Sequence, residues 1–138
     1  GRFLGLPAIA VSLAGDDPSH FDTAGSVVRQ LLDRMLQTPL APSTILNVNV
    51  PDLPRDQISG WQATRLGGRG RAFPTIRAKD PVGKDIYWIG AAGVEQDAGP
   101  GTDFFAIAQG YVSITPLTAD MTDRTRLAEL DEWLGGAA

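Results

Sequence analysis

Two short apolar runs with one amphipathic stretch between them constrain this chain more than anything else in it. "PAIAVSLA", residues 7–14, lies between Gly5-Leu6 and Gly15-Asp16-Asp17-Pro18. Its continuous apolar character predicts a strand covered on both faces, as in a parallel sheet. "TILNVNVP", residues 44–51, predicts a second strand, with Ile45, Asn47 and Asn49 on one face and Leu46, Val48 and Val50 on the other. Between them Phe21, Ala24, Val28, Leu31, Leu32 and Met35 recur at steps of three and four. That spacing predicts a helix with these residues on one face and Arg29, Gln30, Asp33 and Arg34 toward water. The helix begins near Ser19, His20 or Asp22, and Thr38-Pro39 ends it, because the residue before a proline is pushed out of the helical region. Strand, helix and strand on short links make a βαβ unit, which closes right-handed. The expected class is therefore α/β.

The rest of the chain adds shorter pieces. "DLPRDQISG" is a turn-rich connector, and "WQATRL", residues 61–66, predicts a third strand. Two β-type segments, 73–79 and 84–89, flank Asp80-Pro81-Val82-Gly83, which is a hairpin signal. This hairpin reads as an excursion from the sheet over about residues 67–92 of a single domain spanning 1–138. A short helix over 103–109, a last strand in "GYVSITPL" and a terminal helix over 124–134 complete the order, the last with Leu127, Leu130, Trp133 and Leu134 on one side.

Composition narrows the partners. Twelve basic against sixteen acidic residues give a net charge of −4, which argues against long nucleic acid, since phosphate backbones are bound by basic surfaces. A small phosphorylated ligand needs only a local pocket and stays open. With no cysteine there are no disulfides and no thiolate metal sites. No run approaches the roughly 18 apolar residues of a membrane span, and the expected location is cytoplasmic. The opening "GRFLGLPAIAVS" has no Met and runs almost directly into a buried-type strand, so a chain cut from something longer is expected.

Each candidate site has two readings. Asp16 and Asp17 follow the carboxyl end of a buried strand, where open α/β sheets place ligands, and could offer hard oxygens to a magnesium-type cation. They also suit a solvated turn before a helix. His20 is the chain's one histidine, so a mechanism needing a histidine pair within it is excluded; a histidine at a helix start is commonly a solvated or capping group. Asn47 and Asn49 could aim amides at a ligand or satisfy a neighbouring loop. Arg65, Arg69, Arg71 and Arg77 suit an anion-binding rim, and equally a solvated hairpin whose charges discourage edge pairing. Tyr87 and Trp88 beside them fit a subunit contact, where aromatics and arginine are enriched. In "DAGPGTD", Gly99 and Gly101 allow positive φ and Pro100 stiffens the bend. Thr102 or Asp103 can cap the helix that follows, and a helix start also favours anions.

Together "GLPAIAVSL", "ILNVNVPDLP", "TRLGGR", "DPVGKDIYWIG" and above all "DAGPGTDFFAIAQGYVSITPL" resemble the SurE family of survival-protein nucleotidases, in the family's order across nearly all 138 residues. The resemblance implies a Rossmann-like, three-layer α/β/α domain with a protruding hairpin and a C-terminal element used in subunit exchange, as a homodimer or homotetramer. It implies a phosphomonoesterase acting on nucleoside 5′- or 3′-monophosphates, in some members on short polyphosphate. A divalent metal, Mg or Mn, is implied as Lewis acid on the phosphoryl oxygens. The family's metal aspartates stand in an N-terminal Asn-Asp-Asp-Gly, completed by a serine and an asparagine, with a Ser-Gly-Thr at a helix start for phosphate. None of these is present here, and Gly1-Arg2 fall at the end of that phosphate-site helix. The chain thus resembles the second half of the domain, with catalytic residues expected upstream of Gly1 and no activity expected of the chain alone. Asp16-Asp17 lack the preceding Asn and following Gly, fall where the family has a variable loop, and receive no metal role. Gly99, Gly101, Thr102 and Asp103 become the candidate substrate-proximal loop; Arg69, Arg71, Tyr87 and Trp88 become the candidate assembly rim. A non-catalytic subunit or assembly module keeping the same fold remains the alternative. A dinucleotide-binding oxidoreductase fails, since no G-x-G-x-x-G follows a strand.

Overall fold

A computed structural model describes residues 6–136. Gly1 and Arg2, where the resemblance places the end of the phosphate-site helix, lie outside the described residues. The βαβ unit forms as strand β1 (Ala8–Ala14), helix α1 (Phe21–Gln37) and strand β2 (Ile45–Pro51), with β1 and β2 parallel from Ala8↔Ile45 to Ala14↔Pro51. A 3-10 turn, Arg55–Gln57, leads to β3 (Gly60–Ala63). The short strands β4 (Gly68–Arg69), β5 (Ile76–Lys79), β6 (Asp85–Trp88) and β7 (Glu95–Asp97) follow. Helix α2 (Asp103–Ala108), strand β8 (Tyr111–Leu117) and helix α3 (Leu127–Trp133) close the order.

The main sheet is mixed, in the order β1-β2-β8-β3. β8 runs antiparallel to β2 and parallel to β3, with Asn49↔Ser113 and Ala63↔Ile114 in register. The alternation read in β2 decides the layers. Leu46, Val48, Val50 and Val112 point to one face and form the core with Val27 and Leu31 of α1. Burying side chains of this size stabilises by about 1.5–3 kcal/mol each. Asn47, Asn49, Ser113 and Thr115 point to the other face, which receives α2. There the hydroxyls satisfy one another: Thr64 Oγ1 lies 2.8 Å from Ser113 Oγ and 2.7 Å from Thr115 Oγ1. Helix, sheet and helix give the three layers.

Five local expectations are corrected. β1 is not covered on both faces; Val11 is 37% exposed, because β2 is its strand partner on one edge and α1 packs on one face. The buried stripe of α1 is Thr23, Val27 and Leu31, while Phe21 and Leu32 face outward. The cause is the anchoring of Thr23, whose Oγ1 donates to the Leu53 carbonyl at 2.9 Å and turns that side of the helix inward. The third strand ends at Ala63 rather than 66, since Arg65 leaves the sheet to pair with Thr102. The hairpin strands are shorter than 73–79 and 84–89, and residues 124–126 form a 3-10 turn ahead of α3.

Candidate functional site

A cleft of about 460 Å³ opens beside α2 at the carboxyl end of β1. Ala14, Gly15 and Asp16 form one wall, Asn49 contributes from β2, and Asp103, Phe104 and Ile107 form the α2 side. Arg69 and Glu95 close it from β4 and β7, a two-stranded antiparallel ribbon in which they are register partners. The Arg69 guanidinium lies 5.0 Å from the centre of the Phe104 ring, a cation–π contact between two residues that line the cleft.

The "GPGTD" segment fixes how α2 meets this cleft. Gly101 takes φ +88°, the left-handed conformation that glycine adopts without strain, whereas Gly99 does not use positive φ. Thr102, fully buried, is the N-cap of α2: its Oγ1 accepts from Phe105 N at 3.1 Å and donates to the Gly99 carbonyl at 2.7 Å. Asp103 Oδ1 accepts from Gly67 N at 2.7 Å and Phe104 N at 3.0 Å. Two backbone bonds, Arg65 N to Gly101 O and Asp103 N to Arg65 O, join the segment to the chain leaving β3. Gly67 permits this approach, because a Cβ there would stand 2.3 Å from the Phe104 ring and 2.6 Å from the Asp97 carbonyl. Asp103 is both a clamp residue and part of the cleft lining.

The arginines divide among different tasks. Arg65 makes a paired contact to Asp97, 2.5 and 2.8 Å, and its guanidinium holds the Asp97 carboxyl below the ordinary carboxylate range. Arg77 and Lys79 of β5 both pair with Asp85 of β6, which lies lower for the same reason. Arg71 is exposed in the segment after β4. Tyr87 and Trp88 stand on β6, exposed, with Ile76 and Ile89 also exposed on the same hairpin.

The aspartates at the end of β1 behave unequally. Asp16 borders the cleft and Asp17 does not line it. A third aspartate, unnoticed from sequence, organises the region. Asp52, just past β2, accepts from His20 N at 2.8 Å and from Ser19 N at 3.1 Å, and its Oδ1 lies 2.9 Å from His20 Nδ1. The backbone N–H of His20 is the chief cause of its lowered pKa; burial opposes this, and the Ser19 N–H and the His20 ring add to it. His20 is the N-cap of α1 but makes no side-chain cap bond to it, so Asp52 supplies a carboxylate there from across the sheet. The signal was an acid directly after a buried strand, masked by its place in the "PDLP" turn. Among the described residues no group of three or more His, Asp or Glu side chains is placed to hold a metal ion.

A mixed four-stranded sheet with helices on both faces and a cleft at the carboxyl end of β1 defines an α/β protein. The chain belongs to the SurE family: the Survival protein SurE family model matches residues 1–72. It is 56% identical over 136 residues to the 5′-nucleotidase SurE of Methylococcus capsulatus, covering 99% of this chain and 54% of that protein. With the 5′-nucleotidase SurE of Nitrosococcus oceani it shares 59% identity over 134 residues, 97% of this chain and 53% of the relative. The crystal structure of the SurE protein from Aquifex aeolicus superposes with a TM-score of 0.75 at 35% identity, over 96% of this chain and 54% of that one. The chain thus spans about half the length of the curated relatives it matches, and its fold is the one expected for the second half of the family's domain.

Proposed function

We propose that this chain is the C-terminal portion of a divalent-metal-dependent 5′-nucleotidase, hydrolysing nucleoside 5′- or 3′-monophosphates and short polyphosphate. The observation that carries this is the 56% identity, over 99% of the chain, to a protein named 5′-nucleotidase SurE. The described residues do not themselves fit the metal, Mg or Mn, since no three ligating side chains converge. What they supply is a wall of the substrate pocket. Asn49 and Asp103 offer hydrogen-bonding groups, Arg69 a charge, and Phe104 and Ile107 an apolar surface that limits water. Gly101 and Thr102 act indirectly, by fixing where Asp103 stands.

Assembly into a homodimer or homotetramer belongs to the same proposal. On the hairpin, Ile76, Tyr87 and Trp88 are exposed, the last at 65%, and α3 exposes Leu130 and Trp133. Exposed aromatic and aliphatic side chains of this kind are what a second copy would cover. This observation equally suits the alternative, a non-catalytic assembly module. A cytoplasmic location is part of the proposal; among the described residues no helix is long and apolar enough to cross a membrane. The gene sequence upstream of Gly1 tests the enzymatic reading. An Asn-Asp-Asp-Gly encoded there supports it, and an unrelated upstream region overturns it in favour of the assembly module.

A further inference from the structure

The charged groups on the described wall of the cleft do not favour phosphate. Among the described residues, Asp16, Glu95 and Asp103 line it against the guanidinium of Arg69. Three carboxylates against one guanidinium repel a phosphate dianion that brings no metal with it. That guanidinium is also engaged elsewhere. Its Nη1 donates to the Gly93 carbonyl at 3.3 Å, and its centre stands over the Phe104 ring. The Gly93 carbonyl is held by close backbone packing. A Cβ on Gly93 would stand 2.3 Å from the Gly70 carbonyl, and Gly70 N donates to Val94 O at 2.8 Å.

Glu95 is left unpaired as a result. It is the register partner of Arg69 across the β4–β7 ribbon, a placement in which opposite charges ordinarily pair. With the guanidinium turned to Phe104 and Gly93, the Glu95 carboxylate lines the cleft with no hydrogen bond or ion pair among the described residues. In the same cleft Phe104 and Ile107 add a half-buried apolar surface. An acceptor-only carboxylate and an aromatic ring in one cleft suit a neutral ligand with hydroxyl donors and a flat π-face. The space, about 460 Å³, lies within the range of pockets that take small organic ligands.

We infer that this wall is the nucleoside subsite, in which Phe104 takes the flat of the base and Glu95 accepts from the ribose hydroxyls. Arg69 braces the Phe104 ring, so it acts on the base through that ring and not on the phosphate. An acid takes the ribose hydroxyls in the same way in dinucleotide-binding folds. The class of ligand rests on the nucleotidase reading above. The phosphoryl group is left to the rest of the pocket. A polyphosphate chain has neither ring nor sugar and gains nothing from this wall.

Binding of the bare nucleoside tests this without relying on turnover. The full-length gene product, titrated calorimetrically with adenosine and with 2′,3′-dideoxyadenosine, should prefer adenosine by about 10-fold, the scale of a hydrogen bond to a charged group. Glu95→Ala removes an exposed, unpaired side chain and should bind the two alike. Phe104→Leu keeps an apolar side chain and should weaken both by about 10-fold, the scale of a lost base stack. It should retain the preference for adenosine, which a misfolded site would lose. Adenosine that does not bind at millimolar concentration, or a preference that survives Glu95→Ala, overturns the subsite. Nucleotide turnover alongside either result leaves the nucleotidase reading standing. The expected binding pattern without turnover keeps the subsite and overturns that reading.

Discussion

Thr102→Val isolates the buried hydroxyl that organises the cleft side of α2. Valine keeps the shape of threonine, so packing around this fully buried position is preserved and only the hydroxyl is lost. Two bonds disappear: the cap to Phe105 N at 3.1 Å and the donation to Gly99 O at 2.7 Å. Losing a cap costs about 1 kcal/mol. The Gly99 carbonyl keeps one partner, Thr102 N at 3.2 Å, so its loss adds about 0.5–1 kcal/mol rather than a full desolvation penalty. The sum is about 2 kcal/mol. With a urea m-value of about 2 kcal/mol/M, the unfolding midpoint of the full-length gene product should fall by about 1 M. Thr102→Ser keeps both hydroxyl bonds and loses one methyl, so it should cost about 1 kcal/mol or less. A Val variant as stable as the wild type, or more stable than the Ser variant, would falsify the role given to the hydroxyl.

Gly67→Ala places a Cβ 2.3 Å from the Phe104 ring and 2.6 Å from a backbone carbonyl that cannot swing aside. It should destabilise by about 1–3 kcal/mol in the same urea assay, and a neutral result would show that the ribbon and α2 approach less closely than described. Acid should loosen the start of α1 through Asp52. Its folded-state pKa is depressed, so its contribution is present above the unfolded carboxylate's titration and is lost as pH falls through the lower, folded value. Amide exchange at Ser19 and His20 should rise in that window, below the ordinary carboxylate range, and should already be fast at neutral pH in Asp52→Asn. Protection that stays flat through the acid range would contradict this.

How far the sequence could be read depended on whether the deciding interaction was local. The βαβ unit was legible because periodicity and the Thr38-Pro39 stop are written in consecutive residues, and the buried set Leu46, Val48 and Val50 follows from alternation alone. A cap at Thr102 or Asp103 was legible for the same reason, and Thr102 is the residue that makes it. On α1 the pattern placed Leu31 and Ala24 on the core side correctly but not Phe21 and Leu32, because a contact thirty residues away, Thr23 to Leu53 O, sets the helix rotation. The exposure of β1 depends on which strands flank it, which a single strand's composition does not encode. The β4–β7 ribbon escaped because two and three residues carry no period, and its pairing spans a hairpin. Asp52 was passed over as a turn residue, since its partners Ser19 and His20 lie more than thirty residues earlier. In the candidate site, the loop 97–103 was visible as a motif, while the cleft it helps line with Asn49, Arg69 and Glu95 was not.

The central claim is that these 138 residues carry the second half of a nucleotidase and not its catalytic ligands. Phosphate release from a nucleoside 5′-monophosphate, with Mg or Mn present and then chelated, tests it on two samples: the purified 138-residue chain and the full-length gene product. The account predicts metal-dependent turnover by the full-length protein and none by the 138-residue chain. Clear turnover by the pure 138-residue chain would contradict it.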